Sequence, residues 1–375
     1  MNKNDFVIPQ GSYLLNHSVG RPLKSAEQHF HQQFFAAWQN ENKEPWQQWL
    51  QGVEAFTSSL AKLFNSHSEL FCPQVNLSSG LTKLLMSHPR LQQENCKVLM
   101  AESDFPSMGF AMQKALPESA EIVFIDKHED LTDAQIWQLY LANNDIDLVF
   151  ISHVYSNTGQ QAPIHEIINI AKQHNTLSLL DVAQSAGILE VDLTKLDADF
   201  MLGSSVKWLC GGPGAAYLWV NRKQLLLCQP QDVGWFSHQN PFEFDIKHFA
   251  YHQTALRFWG GTPSVAPYIL ASHSINYFAD LGIEKVRAHN LAMLAQFHDQ
   301  LADYMRSPIQ ADKCSGTAIM HFGEQQAAVK AALEAANIAV DERHLGLRVS
   351  AHIYNDQQDI DTFITTVKRA LYQNA

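Results

Sequence analysis

Basic residues are scarce in this chain: 26 lysines and arginines stand against 38 aspartates and glutamates, a formal net charge of −12. That balance argues against nucleic acid or an anionic membrane as main partner, because both call for a basic surface. Long apolar runs are missing too, and none approaches membrane-spanning length. The opening stretch MNKNDFVIPQGSY carries no apolar signal-peptide core, so a cytoplasmic location is expected. Cysteine is sparse and scattered. Cys72, Cys96, Cys210, Cys228 and Cys314 share no CxxC spacing, which excludes a disulfide framework or a zinc site of that kind. Histidine is plentiful, but HFH at 29–31 has no partner at a spacing such as HExxH, and no metal site is expected. The run GGPG lacks both GxxxxGK[ST] and GxGxxG, so it is not a nucleotide loop. No fixed-period repeat or low-complexity tract occurs.

What remains is an ordinary globular composition, 46% hydrophobic and 17% charged over 375 residues, enough for a large core and two domains or one domain with an appendage. The middle alternates short apolar runs with helical patterns. IDLVFIS (146–152), LSLLDVAQSAG (177–187), DADFMLGSS and AAYLWV (215–220) read as strands with their ends. Between the first two, APIHEIINIAKQHN places Ile164, Ile167, Ile168 and Ala171 on one helical stripe. This rhythm predicts an α/β sheet buried on both faces. Residues 30–64 look helical, with a break at Pro45. Beyond GGTPSVAPY the pattern becomes long helices followed by alternating strands. The expected division is a segment 1–15 near the smaller domain, a large domain 16–264, and a smaller α+β domain 265–375.

In open α/β sheets, ligands bind beyond the carboxyl ends of the strands. Three such ends are polar here: Asn157, then Asp181 with Gln184, then Ser204, Ser205 and Lys207. Alone, an aspartate there is a turn or helix cap, and a lysine a solvated end. Together on successive strands they suggest more. A lysine in an apolar site has a lowered pKa, and its neutral amine can form a Schiff base with an aldehyde. A carboxylate facing a pyridine nitrogen keeps that nitrogen protonated, which is the lysine–aspartate arrangement of a pyridoxal phosphate (PLP) site. SSGLT (78–82) reads as a phosphate cradle at a helix start.

LLDVAQSAG, GSSVKWLCGGPGAAYLWV, GWFSHQNPFEFD and RFWGGTPS together resemble the class V aminotransferase family of fold-type I PLP enzymes, and the last two its kynureninase branch. The similarity runs from residue 13 to 355. It implies a mostly parallel seven-stranded sheet in the large domain and a smaller C-terminal α+β domain. It also implies that Lys207 is the Schiff-base lysine and proton carrier, and that Asp181 pairs with the pyridinium. Gln184 would bond the ring hydroxyl with Asn157 nearby, and Phe105 would stack on the ring. Leu81, Thr82 and Ser204 would hold the phosphate. Trp235 and Thr262 would reach over from a second subunit, which implies a homodimer with shared sites. Arg348 in LRVSAHIYN would grip the substrate α-carboxylate by a two-pronged pair.

The resemblance has departures. Kynureninases usually carry an acid where Met108 stands, commonly a histidine where Gln184 stands, and a tyrosine where Val206 stands. A desulfurase needs a nucleophilic cysteine on a C-terminal loop, where this chain reads NIAVDERHLGLRVS; Cys314 lies upstream, and Cys210 is given no role. The expected activity is therefore aminotransferase-type chemistry on an L-amino acid, with kynureninase-like hydrolysis as the alternative and desulfurase disfavoured. A PLP-fold protein that binds without turnover has no need of the full lysine, aspartate and arginine set.

Overall fold

The computed structural model describes residues 3–40 and 42–373. Its centre is a seven-stranded sheet of β1 (Phe71–Gln74), β2 (Lys97–Ala101), β3 (Glu121–Ile125), β4 (Leu148–Ser152), β5 (Leu177–Asp181), β6 (Phe200–Ser204) and β7 (Ala216–Val220). The spatial order is β1-β7-β6-β5-β4-β2-β3. Only β7 runs against its neighbours. Strands β4, β5 and β7 are buried along their whole length, as expected where layers cover both faces. These are the apolar runs already legible in the sequence. The register sets Ser152 beside Asp181, and Asp181 beside Leu202. Residues 101, 152, 181 and 204 therefore end their strands along one edge.

The helical 30–64 segment is broken as its sequence suggested. A short helix with one wide π turn ends at Gln39, and α1 (Trp46–Leu63) begins after Pro45. Its buried side chains Val53, Phe56 and Leu60 join a core continuous with α2 (Leu77–Leu85), α3 (Pro106–Ala115) and α4 (Ile164–Gln173). The helix α5 (Ala266–Leu281) lies against α1 and buries Ile269, Ile275 and Phe278.

A second core holds Met293, Leu294 and Phe297 of α6 (Ile283–Leu301), the strands β8 (Ala318–Met320), β9 (Asp341–Arg343) and β10 (Gly346–Val349), and Ile360, Phe363 and Val367 of the last helix, α7 (Gln357–Gln373). The two cores meet within α6, since Val286 belongs to the first and Met293 to the second. The change of pattern read at 265 thus falls one helix before the division of the packing. Its cause is the apolar face of α5, which the large core covers. At the other end of the chain, Ser12–Tyr13 pairs in parallel with Ile338–Ala339, and Leu14 is buried in the second core. No described helix is long and apolar enough to cross a membrane.

Candidate active site

Beyond the carboxyl edge of β4, β5 and β6 lies a cavity of about 210 Å³. Asp181, Gln184, Lys207 and Phe105 all line it, with Asn76, Leu77, Ser78, Met108, Ser152, Tyr155 and Ser156 among its other walls. Lys207 arrives three residues after β6, on a loop whose backbone is left-handed at Cys210, Gly212 and Gly214. Glycine relieves that conformation at the last two positions. The N-terminal segment straps this loop from outside, where the Gly20 N–H donates to the Val206 carbonyl at 2.9 Å.

Electrostatics distinguish Lys207 from a surface lysine. Burial pushes its ammonium down to about 8, and the charges of Arg348 and Arg343 push the same way, against an opposing pull from Asp181. Burial raises the Asp181 carboxyl, while the Ala183 N–H, donating to Oδ1 at 2.8 Å, and the Lys207 charge draw it back. Beneath them a second carboxyl, Asp104, is pushed up to about 7 by burial, with the charge of Asp181 adding to the effect. Asp104 accepts the Ser152 hydroxyl at 2.6 Å and the Ala101 N–H at 2.8 Å.

The helix start at one end of the cavity lies earlier than the sequence reading placed it. Helix α2 begins at Leu77, because Asn76 caps it by accepting the Ser79 N–H at 2.8 Å. The amides of Leu77 and Ser78 are left free at the positive end of the helix, and both residues line the cavity. Leu81 sits a turn further on, fully buried in the core. Thr82 faces a separate open cavity with Lys83 and Asp232. Ser204 does not line the main cavity; its Oγ accepts the Val206 N–H at 3.4 Å. Asn157 turns away as well and accepts an N–H of Arg343 at 3.0 Å, leaving Tyr155 and Ser156 at the wall. Gln184 reaches the cavity, but its amide N–H donates to the His17 carbonyl at 3.0 Å. Within one chain Trp235 and Thr262 stay outside the cavity. Trp235 lies instead among Phe236, Phe242 and Phe244, and Thr262 is exposed.

Arg348 is buried, yet already engaged. Its Nε donates to Asp341 Oδ1 at 2.8 Å, its Nη2 to Asp341 Oδ2, and its Nη1 to the Ser156 carbonyl at 3.3 Å. His17 faces the same carboxylate, with Nε2 2.9 Å from Asp341 Oδ1, and its Nδ1 meets Ser350 Oγ at 2.7 Å. Sequence reasoning missed Leu77, Ser78, Asp104, Tyr155, His17, Asp341 and Arg343. The asparagine before LSSGL was a readable helix cap. Nothing in the sequence announced the His17–Asp341 contact.

These groups fit a phosphorylated pyridine aldehyde. An amine of lowered pKa and a carboxyl share one cavity, with the Phe105 ring partly exposed beside them and free helix amides at one end. The Tyr155 hydroxyl is buried against this space without a hydrogen-bond partner, as expected of a wall that awaits an occupant. No cysteine lines the cavity, and burial pushes the thiol of Cys210 well up, out of nucleophilic range.

Comparison with known proteins finds relatives along nearly the whole chain. The kynureninase of Shouchella clausii (strain KSM-K16) is 27% identical over 396 residues, spanning 98% of this chain and 90% of that protein. The apo cysteine desulfurase from Thermococcus onnurineus NA1 superposes with a TM-score of 0.86 at 19% identity, covering 97% of this chain and 95% of the other. The cystine C–S lyase C-DES, with glycine covalently linked to its PLP cofactor, superposes with a TM-score of 0.84 at 19% identity, covering 96% of each. At those identities the two structures establish the fold alone. A model of aminotransferase class-V matches residues 21–363, and the chain belongs to that family, a fold-type I enzyme with pyridoxal 5′-phosphate as cofactor.

Proposed function

We propose that this enzyme holds PLP through Lys207 and exchanges the α-proton of an L-amino acid in an aminotransferase-type reaction. The observation that carries the reading is the meeting of Lys207, its amine held down to about 8, with Asp181 in one cavity. When bound, the cofactor supplies an electron sink for charge left at the α-carbon. Lys207, partly neutral near its lowered pKa, takes that proton and returns it. Asp181 would hold a proton on the ring nitrogen, Phe105 would cover a ring face, and the Leu77 and Ser78 amides would receive the phosphate. Of the five N–H groups of Arg348, three are committed, which leaves one on each Nη for the substrate α-carboxylate.

Met108, buried and lining the cavity, favours transfer over hydrolysis, because it replaces an acid with an apolar wall that does not orient water. The kynureninase relative and the motifs GWFSHQNPF and GGTP favour a second reading, hydrolytic cleavage of a side-chain carbon–carbon bond. A second copy of the chain would bring Trp235 and Thr262 to the site. In support, Phe244 is 76% and Ile246 99% exposed on the same segment, an apolar patch suited to a partner surface. A cytoplasmic location suits such an enzyme.

Purified protein is expected to be yellow, to lose the colour on borohydride treatment, and to lack it in Lys207→Ala. A colourless protein that PLP does not reconstitute would reject the assignment. Amino-acid turnover that requires a keto acid supports transfer, whereas release of an anthranilate-like product from kynurenine without one supports hydrolysis.

A further inference from the structure

The hairpin of β9 and β10 places three charged side chains on one face. Asp341 pairs in register with Arg348, and Arg343, two residues along the same strand, points to the same side. The two arginines are not equivalent. Arg348 has its charge answered by Asp341, bound through two N–H groups. Arg343 has one hydrogen bond, from Nη1 to the neutral amide oxygen of Asn157 at 3.0 Å; no described carboxylate lies within ion-pair distance, and the charge of Asp341 acts on it only from further off. It is half-buried, and its charge is felt at the Lys207 amine.

A guanidinium with no carboxylate in direct contact, in a partly desolvated position, gains from an anion that meets it. The α-carboxylate of an amino acid needs one such group, and the free edge of Arg348 supplies it. We propose that Arg343 is a second anion-binding group, which selects an amino acid whose side chain ends in its own carboxylate. Asn157 acts here as the positioning partner that aims the guanidinium; both residues stand behind the cavity wall at Ser156, the residue next to Asn157.

This inference rests on the reading of Lys207 and Arg348 as amine and α-carboxylate anchors. Its test is calorimetric titration of the PLP-loaded protein with glutarate, a two-carboxylate probe, and with butyrate, its one-carboxylate counterpart. A charge-assisted contact at Arg343 makes glutarate bind about tenfold tighter or more than butyrate. Arg343→Gln abolishes the preference, and Arg343→Lys retains part of it. Equal binding of the two probes by the native protein, or a preference that survives Arg343→Gln, overturns the proposal. Heat is measured whether or not the sample is coloured. A yellow protein without the preference refutes Arg343 alone, whereas a colourless one refutes the cofactor assignment.

Discussion

Asp341 faces Arg348 across neighbouring antiparallel strands and takes two of its N–H groups, Nε at 2.8 Å to Oδ1 and Nη2 to Oδ2. The same carboxylate lies 2.9 Å from His17 Nε2, and Arg348 with His17 holds it well below the usual carboxylate range, against the opposing effect of burial. A guanidinium fixed along its side presents its remaining end in one direction. If Arg348 grips the substrate α-carboxylate as proposed, Asp341 is its positioning residue.

Removal of that support is expected to act on substrate capture before chemistry. Asp341→Asn keeps the shape but not the charge, and a buried arginine loses a charge-assisted pair of roughly 1.5–3 kcal/mol. The expected result is a rise in KM of about tenfold or more, with kcat changed less, since the proton carrier is untouched. Steady-state kinetics decide it. A loss confined to kcat would show that Asp341 does not orient Arg348.

The amine itself has a testable titration. Burial, with Arg348 and Arg343, lowers Lys207 from 10.5 to about 8, so the neutral form that attacks an aldehyde appears above that pH. In cofactor-free protein, the initial rate of colour formation with PLP is expected to climb with pH through a midpoint near 8 and to level off about one unit above it. Arg343→Gln removes a positive neighbour and moves the midpoint up. Asp181→Asn removes the group that raises the amine and moves it down. A midpoint near 10 in native protein would contradict the burial of Lys207. The same shift touches stability, because between about 8 and 10.5 the unfolded chain holds a proton that the folded one has lost, and stability from this group rises with pH.

Much of this site was legible because of the strand rule. Asp181, Gln184 and Lys207 follow apolar runs that could only be buried strands, and polar residues at such ends converge at the carboxyl edge. Phe105 reached the cavity on the resemblance. Leu81 and Thr82, which the resemblance offered as phosphate ligands, lie a turn past the helix start that Asn76 caps. Arg343 and Asp341 were invisible for another reason. Their contacts with His17 and Asn157 depend on how the second core seats a hairpin against the first, and neither periodicity nor spacing encodes that. The contact of His17 with Asp341 joins opposite ends of the chain and is a product of tertiary packing alone.

Asp104 makes a pH prediction of opposite sign. Its carboxyl, buried beside Asp181 and the Tyr155 hydroxyl, titrates at about 7 in the fold against 3.8 ordinarily. Between those values the folded protein keeps a proton that the unfolded chain releases, so its contribution falls as pH rises from about 4 to about 7. The loss is of the order of a few kcal/mol. Asp104→Asn cannot ionise and still offers an acceptor to Ser152 or Ala101. Urea midpoints measured across that range should therefore decline more steeply for native protein than for the variant. Parallel curves would mean that Asp104 is ionised in the fold.

Gly20 offers a test of the strap over the lysine loop. A Cβ added there would lie 2.1 Å from the Lys207 carbonyl oxygen and 2.5 Å from Cys210 Sγ. Backbone cannot swing aside as a long side chain would, so Gly20→Ala must push the strap and the lysine loop apart. Overpacking of this kind costs about 1–3 kcal/mol. The displaced loop also carries the amine away from Asp181, and a loss of alignment at a reacting centre costs far more in rate than in stability. The variant is therefore expected to remain folded, with a thermal midpoint lowered by a few degrees, while PLP affinity falls about tenfold or more. Differential scanning fluorimetry and PLP titration of the same sample separate the two effects. Native PLP affinity in a destabilised variant would show that the strap supports the fold without placing Lys207.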